Sequence, residues 1–323
     1  MTNICKTINI ILLTFILILV NSYVYAQPYC RIKTFSISQG LTTNHITHFD
    51  QDDNGLMWFS SVNGLWSFDG YDFTPYRDYG DFHTITTQRY LSARPNHNRG
   101  IYLTDNNRSL YLYNCRKNSF HNLSRIMQEK GINMKVLDIM PLKNGSTWLI
   151  GMRGTSPGLV RINDNTILDG KGINIVSKKP LTDATYRAII CNNGDEIIYG
   201  KIGVYTPDRG QIYKKPVLTL IKYNNSIVWG GKGNTITVYN PTTKRTNKFS
   251  MPTGVEEVNN MVSINKDHIA CGTNIGVAII NMRTLYSKII NLQSPSSPSN
   301  HVTNLFVDSK HRLWAFTDSD GLT

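Results

Sequence analysis

The sequence predicts an all-β fold, a β-propeller of about seven four-stranded blades with the last one incomplete. Three observations predict it. Helical periodicity is almost missing after residue 30, short β-branched and aromatic runs alternate with Gly, Asn and Asp, and one phrase recurs at a spacing close to a blade's length. The 323 residues, 40% of them hydrophobic and 17% charged, can bury a substantial core. They exclude a disordered tail, a collagen-like chain and a small disulfide scaffold.

The first element is an address. Lys6 precedes an apolar run from Ile10 to Val20, broken only by Thr14, and Val24-Tyr25-Ala26 places small residues before a cleavage point. Eleven residues make roughly 16 Å of helix, far short of the roughly 30 Å hydrocarbon core. Residues 1–26 are therefore read as a secretory signal removed after Ala26, leaving no membrane span in the mature chain and residues 27–323 as the propeller domain. A lipoprotein signal is excluded because Gln27-Pro28-Tyr29 precedes Cys30. Loss of Lys6 leaves a net charge of +11 from the original +12. Cys30, Cys115, Cys191 and Cys271 remain; export permits disulfides, but without a CxxC pair nothing in the spacing selects one. Half-buried strand thiols are the expectation.

The repeat is clearest in its first copy. Ile46 to Phe49 is a first strand, and Asp52 to Gly55 is a turn whose Asp caps and whose Gly supplies positive φ. Leu56 to Ser60 is a second strand carrying Trp58, a large plate suited to packing between blades. Gly64-Leu65 opens the third strand, Asp69-Gly70 turns the chain again, and Phe73 to Tyr76 is the fourth. The last copy repeats Asp308 and Trp314 with the same six-step separation, followed by Gly321-Leu322. Weaker copies carry Trp148 with Gly158-Leu159, and Gly272-Thr273 with Gly276 after Ala270. Tyr102, Tyr199 and Trp229 mark three more. Starts at His45, Arg89, Val136, Tyr186, Val217, Val258 and His301 define seven units. The one helical candidate is Leu123 to Lys130, stopped by Gly131. Ser294 to Asn300 reads as a loop between blades, because the repeat resumes at His301. No blade can bury both faces alone, so lateral stacking must supply the stability.

The string from Phe35 through Gly40-Leu41, Asp52, Gly55, Trp58, Gly64-Leu65, Asp69-Gly70 and Phe73 resembles the two-component regulator propeller family, the periplasmic sensor region of hybrid two-component systems in Bacteroides-type bacteria. In that family two seven-bladed propellers precede a β-sandwich, a membrane helix, a kinase and a DNA-binding regulator. The resemblance spans residues 31–323 and implies the first propeller only, running out at Thr323 where a third strand should begin. Arg31 to Ile37 is the candidate for a late strand in the last blade. The implied role is a non-catalytic periplasmic sensor with an oligosaccharide ligand, acting with a second propeller- or kinase-bearing chain; a homodimer is also left open.

Two other classes remain in view: a propeller glycosidase or lyase, and an inactive interaction scaffold. Asp53-Asn54-Gly55-Leu56-Met57-Trp58 matches a sialidase-type turn, but hairpin geometry alone explains it, and no arginine cluster or tyrosine–acid pair stands out. No catalytic residue is assigned. His45 and His48 have an H-x-x-H spacing that on a strand points them to opposite faces, so no metal is expected. Gly230 to Thr235 lacks the order of a phosphate loop, and no cofactor is expected. Lys178-Lys179, Lys214-Lys215 and Lys244-Arg245 are scattered, which argues against nucleic acid and leaves a polyanionic glycan at the rim as a weaker option. Trp66, Tyr71 and Tyr76 could stack on sugars, yet blade-edge packing explains them equally, so no ligand contact is assigned.

Overall fold

The computed structural model describes residues 32–35, 40, 41, 43, 46–61, 63–76, 90–97, 100–176, 185–190, 196–206, 209–293 and 299–318. The chain divides into two compact units, Met1–Lys33 and Thr34–Thr323, and the propeller is the second. The signal segment, His45, Cys30, Cys191, Gly321 and Leu322 lie outside the described residues.

Blade 1 comprises β1 (Ile46–Gln51), β2 (Met57–Ser61), β3 (Gly64–Phe68) and β4 (Phe73–Tyr76). Blade 2 holds β5 (Tyr90–Pro95), β6 (Gly100–Asp105), β7 (Leu110–Asn114) and β8 (Ser119–Asn122). Helix α1 (Leu123–Glu129) leads to blade 3, with β9 (Lys135–Pro141), β10 (Ser146–Arg153), β11 (Ser156–Asn163) and β12 (Ile173–Val176). Blade 4 is β13 (Thr185–Ile190), β14 (Glu196–Gly200), β15 (Gly203–Thr206) and β16 (Gly210–Tyr213). Blade 5 is β17 (Thr219–Tyr223), β18 (Ser226–Gly230), β19 (Thr235–Asn240) and β20 (Arg245–Ser250). Blade 6 is β21 (Val258–Ser263), β22 (His268–Thr273), β23 (Gly276–Asn281) and β24 (Ser287–Ile290). Blade 7 has β25 (Val302–Val307) and β26 (Leu313–Thr317). Among the described residues there are thus six antiparallel four-stranded sheets and one two-stranded sheet, each in simple meander order. The seven expected unit starts fall within two residues of the seven first strands.

Those first strands are the inner ones. Successive first strands touch from β1 through β5 and β9 to β13, and from β17 through β21 and β25 back to β1. The seam between blades 4 and 5 is filled by Ile197, Tyr199 and Val204 against Val217, Leu220 and Trp229. Every seam follows this logic. Trp58 and Leu65 pack on Tyr90, Ile101 and Tyr113 of the next blade. Phe49, Phe59 and Phe68 pack on Trp314 and Phe316, which joins blade 7 to blade 1. Phe35 joins that closure, with its ring centroid 5.1 Å from Phe68 and 5.8 Å from Trp314. Both sheet faces are buried, so β2 and β3 read as continuously buried runs rather than alternating ones.

Unequal repeat spacing has local causes. Helix α1 lengthens the step into blade 3; Asn122 caps it by accepting from the Arg125 amide at 2.9 Å, and Leu123 and Met127 face the core one turn apart. Gly131, at φ +76°, follows the helix as its stop. In blade 3 the β10–β11 hairpin is longer: Gly151 pairs with Gly158 as Ser61 pairs with Gly64, but six residues rather than two lie between them. Blade 4 is short, with two four-residue strands.

Candidate functional site

The recurring phrase builds turns. Asp52 Oδ1 accepts from the amides of Asn54 (2.9 Å) and Leu56 (3.0 Å), while Oδ2 accepts from Trp58 Nε1 at 2.9 Å. Gly55 has φ +84°. Blade 7 repeats the device: Asp308 accepts from the amides of Lys310 and Arg312, from Trp314 Nε1 at 2.9 Å and from Arg312 Nε at 2.6 Å. Burial works to raise the Asp308 pKa, yet the Trp314 and Arg312 bonds hold it below the usual carboxylate range. Asp69 is likewise lowered, by the amides of Asp72 and Tyr71, beside Gly70 at φ +110°. Gly64 and Gly276 open third strands at φ +114° and +122°; Thr273 donates to the Gly276 carbonyl at 2.8 Å. Gly272 abuts Val302 of blade 7, where a side chain would collide. Gly158-Leu159 are the third and fourth residues of the third strand of blade 3, at the register where Gly64-Leu65 opens that of blade 1, and Leu159 is buried. Trp148 stands on β10 opposite Met140, as Trp58 stands opposite Asp50. Tyr102 takes that position in blade 2, donating through its hydroxyl to Asp164 of blade 3 at 2.7 Å. Tyr199 and Trp229 sit two residues further along their second strands, on the same sheet face.

The aromatic candidates separate. Trp66 is buried, and Tyr76 lies between Trp58 and Tyr113, at 4.8 and 5.1 Å between centroids. Tyr71 is 89% exposed.

Sequence reading missed a cluster on the inner strands. Six of the seven first strands carry a register shift near their start, between residues 46 and 48, 90 and 92, 136 and 138, 185 and 187, 258 and 260, and 302 and 304. The residue just after each bulge is polar: His48, Ser92, Asp138, Arg187, Asn260 and Asn304. Blade 5 lacks the shift and has Leu220 in the corresponding place. Around blades 1 to 4 the charges alternate: Arg94 lies 3.4 Å from Asp50 and 3.8 Å from Asp138, and the Asp138 charge raises the Arg187 pKa. Burial, then Arg94 and Arg187, push His48 well below its ordinary pKa, so it is neutral at pH 7. Burial also raises Asp50 and Tyr199. The first strands that carry these groups are in contact from blade 1 to blade 4, which gathers them toward the axis.

This cluster offers mixed donors and acceptors in a half-buried setting. Among the described residues no group of three or more His, Cys, Asp or Glu is arranged to hold a metal ion, and no helix is long and apolar enough to cross a membrane. Cys271 is buried in blade 6, which pushes its thiol pKa up; Cys115 is half-buried against the blade 1–2 core. A separate surface pocket of about 270 Å³ lies on blade 3, walled by Asn144, Ser146, Arg161, Asn163 and Asn174.

Seam packing and a polar axis define a β-propeller. No family model and no curated protein matches the sequence. Solved structures do match. The extracellular domain of the hybrid two-component system BT3049 from B. thetaiotaomicron is similar over 90% of this chain and 41% of its own, at 18% identity and a TM-score of 0.70. That of the system BT4673 from the same organism is similar over 91% and 39%, at 18% identity and 0.69. A structure of the mitotic checkpoint complex matches over 92% and 93%, at 10% identity and 0.67. At such identities the likeness is one of fold. The chain spans about two-fifths of the length of the two Bacteroides domains. The family resemblance read from the repeat phrase fits these neighbours.

Proposed function

We propose that this chain is a non-catalytic, ligand-sensing propeller, exported to the periplasm after cleavage following Ala26, with an oligosaccharide as its ligand. The observation that carries the reading is the fold shared over nine-tenths of the chain with extracellular domains of hybrid two-component systems. The carboxylates of the repeat phrase support a non-catalytic role, because Asp52 and Asp308 already serve turn amides and indole N–H groups. Binding would shift the population of a conformation that a kinase-bearing partner reads. Calorimetry of the secreted chain against neutral and acidic oligosaccharides, with chromatography of the sugars afterwards, tests this. Saturable heat with intact sugars is expected. Cleaved sugars would overturn the non-catalytic reading, and silence across the panel would overturn the glycan ligand.

A further inference from the structure

Charge is distributed unevenly around the ring. Residues 46–76, which form blade 1, carry five Asp and no Lys or Arg. Residues 209–255, from the last turn of blade 4 through blade 5, carry eight basic residues and no Asp or Glu. The fold brings that basic stretch to the outer rim. Strand β16, the outermost of blade 4, runs directly into Lys214 and Lys215. Strand β20, the outermost of blade 5, holds Arg245 and Lys248, with Lys244 in the turn before it. All five are exposed, as is Lys222 on β17. The two blades are joined at this rim: Arg209 Nη2 donates to the Pro241 carbonyl at 3.0 Å, and Tyr213 lies 5.4 Å from Trp229 between ring centroids. Lys248 pairs with Thr237, which pairs with Trp229, so Lys248 stands on the same sheet face as the indole that Tyr213 covers. Lys214 follows Tyr213 in the chain. None of these six cations forms an ion pair among the described residues. Screening acts over about 8 Å at physiological salt, so the carboxylates of blade 1 do not cancel this positive field.

We propose that the rim of blades 4 and 5, built from Lys214, Lys215, Lys244, Arg245 and Lys248, is a docking surface for a polyanionic polysaccharide, one bearing carboxylate or sulfate groups along its length. The chemistry of the rim selects this class. No large apolar or aromatic side chain is exposed between residues 209 and 255 among the described residues. Nucleic-acid bases need aromatic platforms to stack on, and a lipid surface needs apolar side chains to insert. A charged polysaccharide needs neither; ammonium and guanidinium groups that keep their hydration are enough. The six residues of β20 extend about 20 Å, which suits a polymer rather than a single small anion. The surface rests on the reading of an exported, glycan-contacting chain, and its test is separate. A chain that senses neutral sugars but ignores polyanions loses the surface alone. One that holds polyanions at this rim and gives no heat with oligosaccharides loses the sensing reading alone.

Affinity of the full chain is measured for polygalacturonate, dextran sulfate, neutral dextran and phosphatidylglycerol vesicles at about 50 mM salt and again at about 200 mM. Binding to one or both acidic polymers is expected, falling steeply with salt, with none to dextran; preference between the two assigns the carboxylate or the sulfate. No binding to either polymer, or tighter binding to the vesicles, overturns the proposal. The triple variant Lys244→Gln, Arg245→Gln, Lys248→Gln should bind about tenfold more weakly at the lower salt. A control variant with the same charge change on blades 2 and 3, Arg116→Gln, Lys117→Gln, Lys143→Gln, should stay within about twofold of wild type. Equal losses in the two variants would mean that net charge alone attracts the polymer, and would overturn the site. Should the first variant fail to fold, acetylation of the wild-type chain decides. Bound polymer should protect Lys214, Lys215, Lys244 and Lys248 more than Lys117 and Lys143, and equal protection overturns the assignment.

Discussion

Trp58 and Tyr71 lie on the same blade, thirteen residues apart, and define opposite limits of what a large aromatic side chain does here. Trp58 is 2% exposed, packs on the next blade and satisfies its indole N–H through Asp52. Trp58→Ala removes the plate and leaves Asp52 Oδ2 without its donor, so a loss of about 3–5 kcal/mol is expected in urea unfolding. Tyr71 projects into solvent, and Tyr71→Ala should move stability by no more than about 0.5 kcal/mol. A comparable loss in the two variants would show that the seams do not carry the fold. Tyr71 is also the one of the three aromatic candidates still open to a sugar, so the same variant bears on the calorimetry. The sequence did not distinguish Trp66 and Tyr76 from Tyr71, because a propeller buries both faces of each sheet and alternation no longer marks the exposed side.

At the scale of the element, turns and strand starts were legible, and the axial cluster was not. Asp-x-x-Gly and Gly-Leu mark hairpins through backbone requirements that act locally, so the four strands of blade 1 emerge almost residue for residue. The bulge near the start of six of the seven inner strands inserts one residue and inverts the facing of every later residue in that strand. Reading strict alternation through His48 or Asn260 therefore assigns the wrong face, and the polar ring disappears from view. Third-strand starts give a test. Gly276 and Gly64 share positive φ, but a Cβ at Gly276 would overlap the Ile290 carbonyl, while at Gly64 it meets open space. Gly276→Ala should cost more than Gly64→Ala, about 1–3 kcal/mol for the former, measured by denaturant midpoint. Equal costs would show that φ alone governs the position.

The seam between blades 6 and 7 supplies an element-level pH dependence. His301 Nε2 lies 2.8 Å from Glu257 and Nδ1 lies 3.1 Å from Asp318. Carboxylates only accept, so both nitrogens donate and the ring is an imidazolium. The Glu257 bond, with help from Asp318, raises the His301 pKa. Its contribution is complete below the unfolded value of about 6.5 and fades as pH rises through the raised value. His301 lowers Glu257, and Ser299 with His301 lowers Asp318, so their contributions are present above the ordinary carboxylate range of about 4 and fade as pH falls. The latch is strongest between roughly pH 4.5 and 6.5. These groups are partly exposed, and screening limits the effect to about 1 kcal/mol. A Tm-against-pH profile should lose its decline above pH 6.5 in His301→Gln; an unchanged profile would place that decline elsewhere.

For the whole molecule, closure is the governing property. Each blade borrows its buried area from neighbours, and blades 7 and 1, at opposite ends of the propeller sequence, meet through side chains among the described residues. Phe35, Phe49, Phe59 and Phe68 meet Trp314 and Phe316 there, and Gln51 Oε1 accepts from the Ser309 amide at 2.7 Å. Stability in such a repeat array is a sum of blade and nearest-seam terms, so the least costly partial opening is expected at the seam whose two blades are not consecutive in sequence. Amides of β25, β26 and β1 should therefore exchange through openings below the global unfolding energy, while those of β9–β11 exchange only near it. Trp314→Ala should accelerate exchange in β25, β26 and β1 by one to two orders of magnitude more than in β17–β19, corresponding to about 1.4–2.8 kcal/mol. Uniform acceleration across all blades would mean that the ring opens as one cooperative unit, and that the 7–1 seam is no weaker than those between consecutive blades.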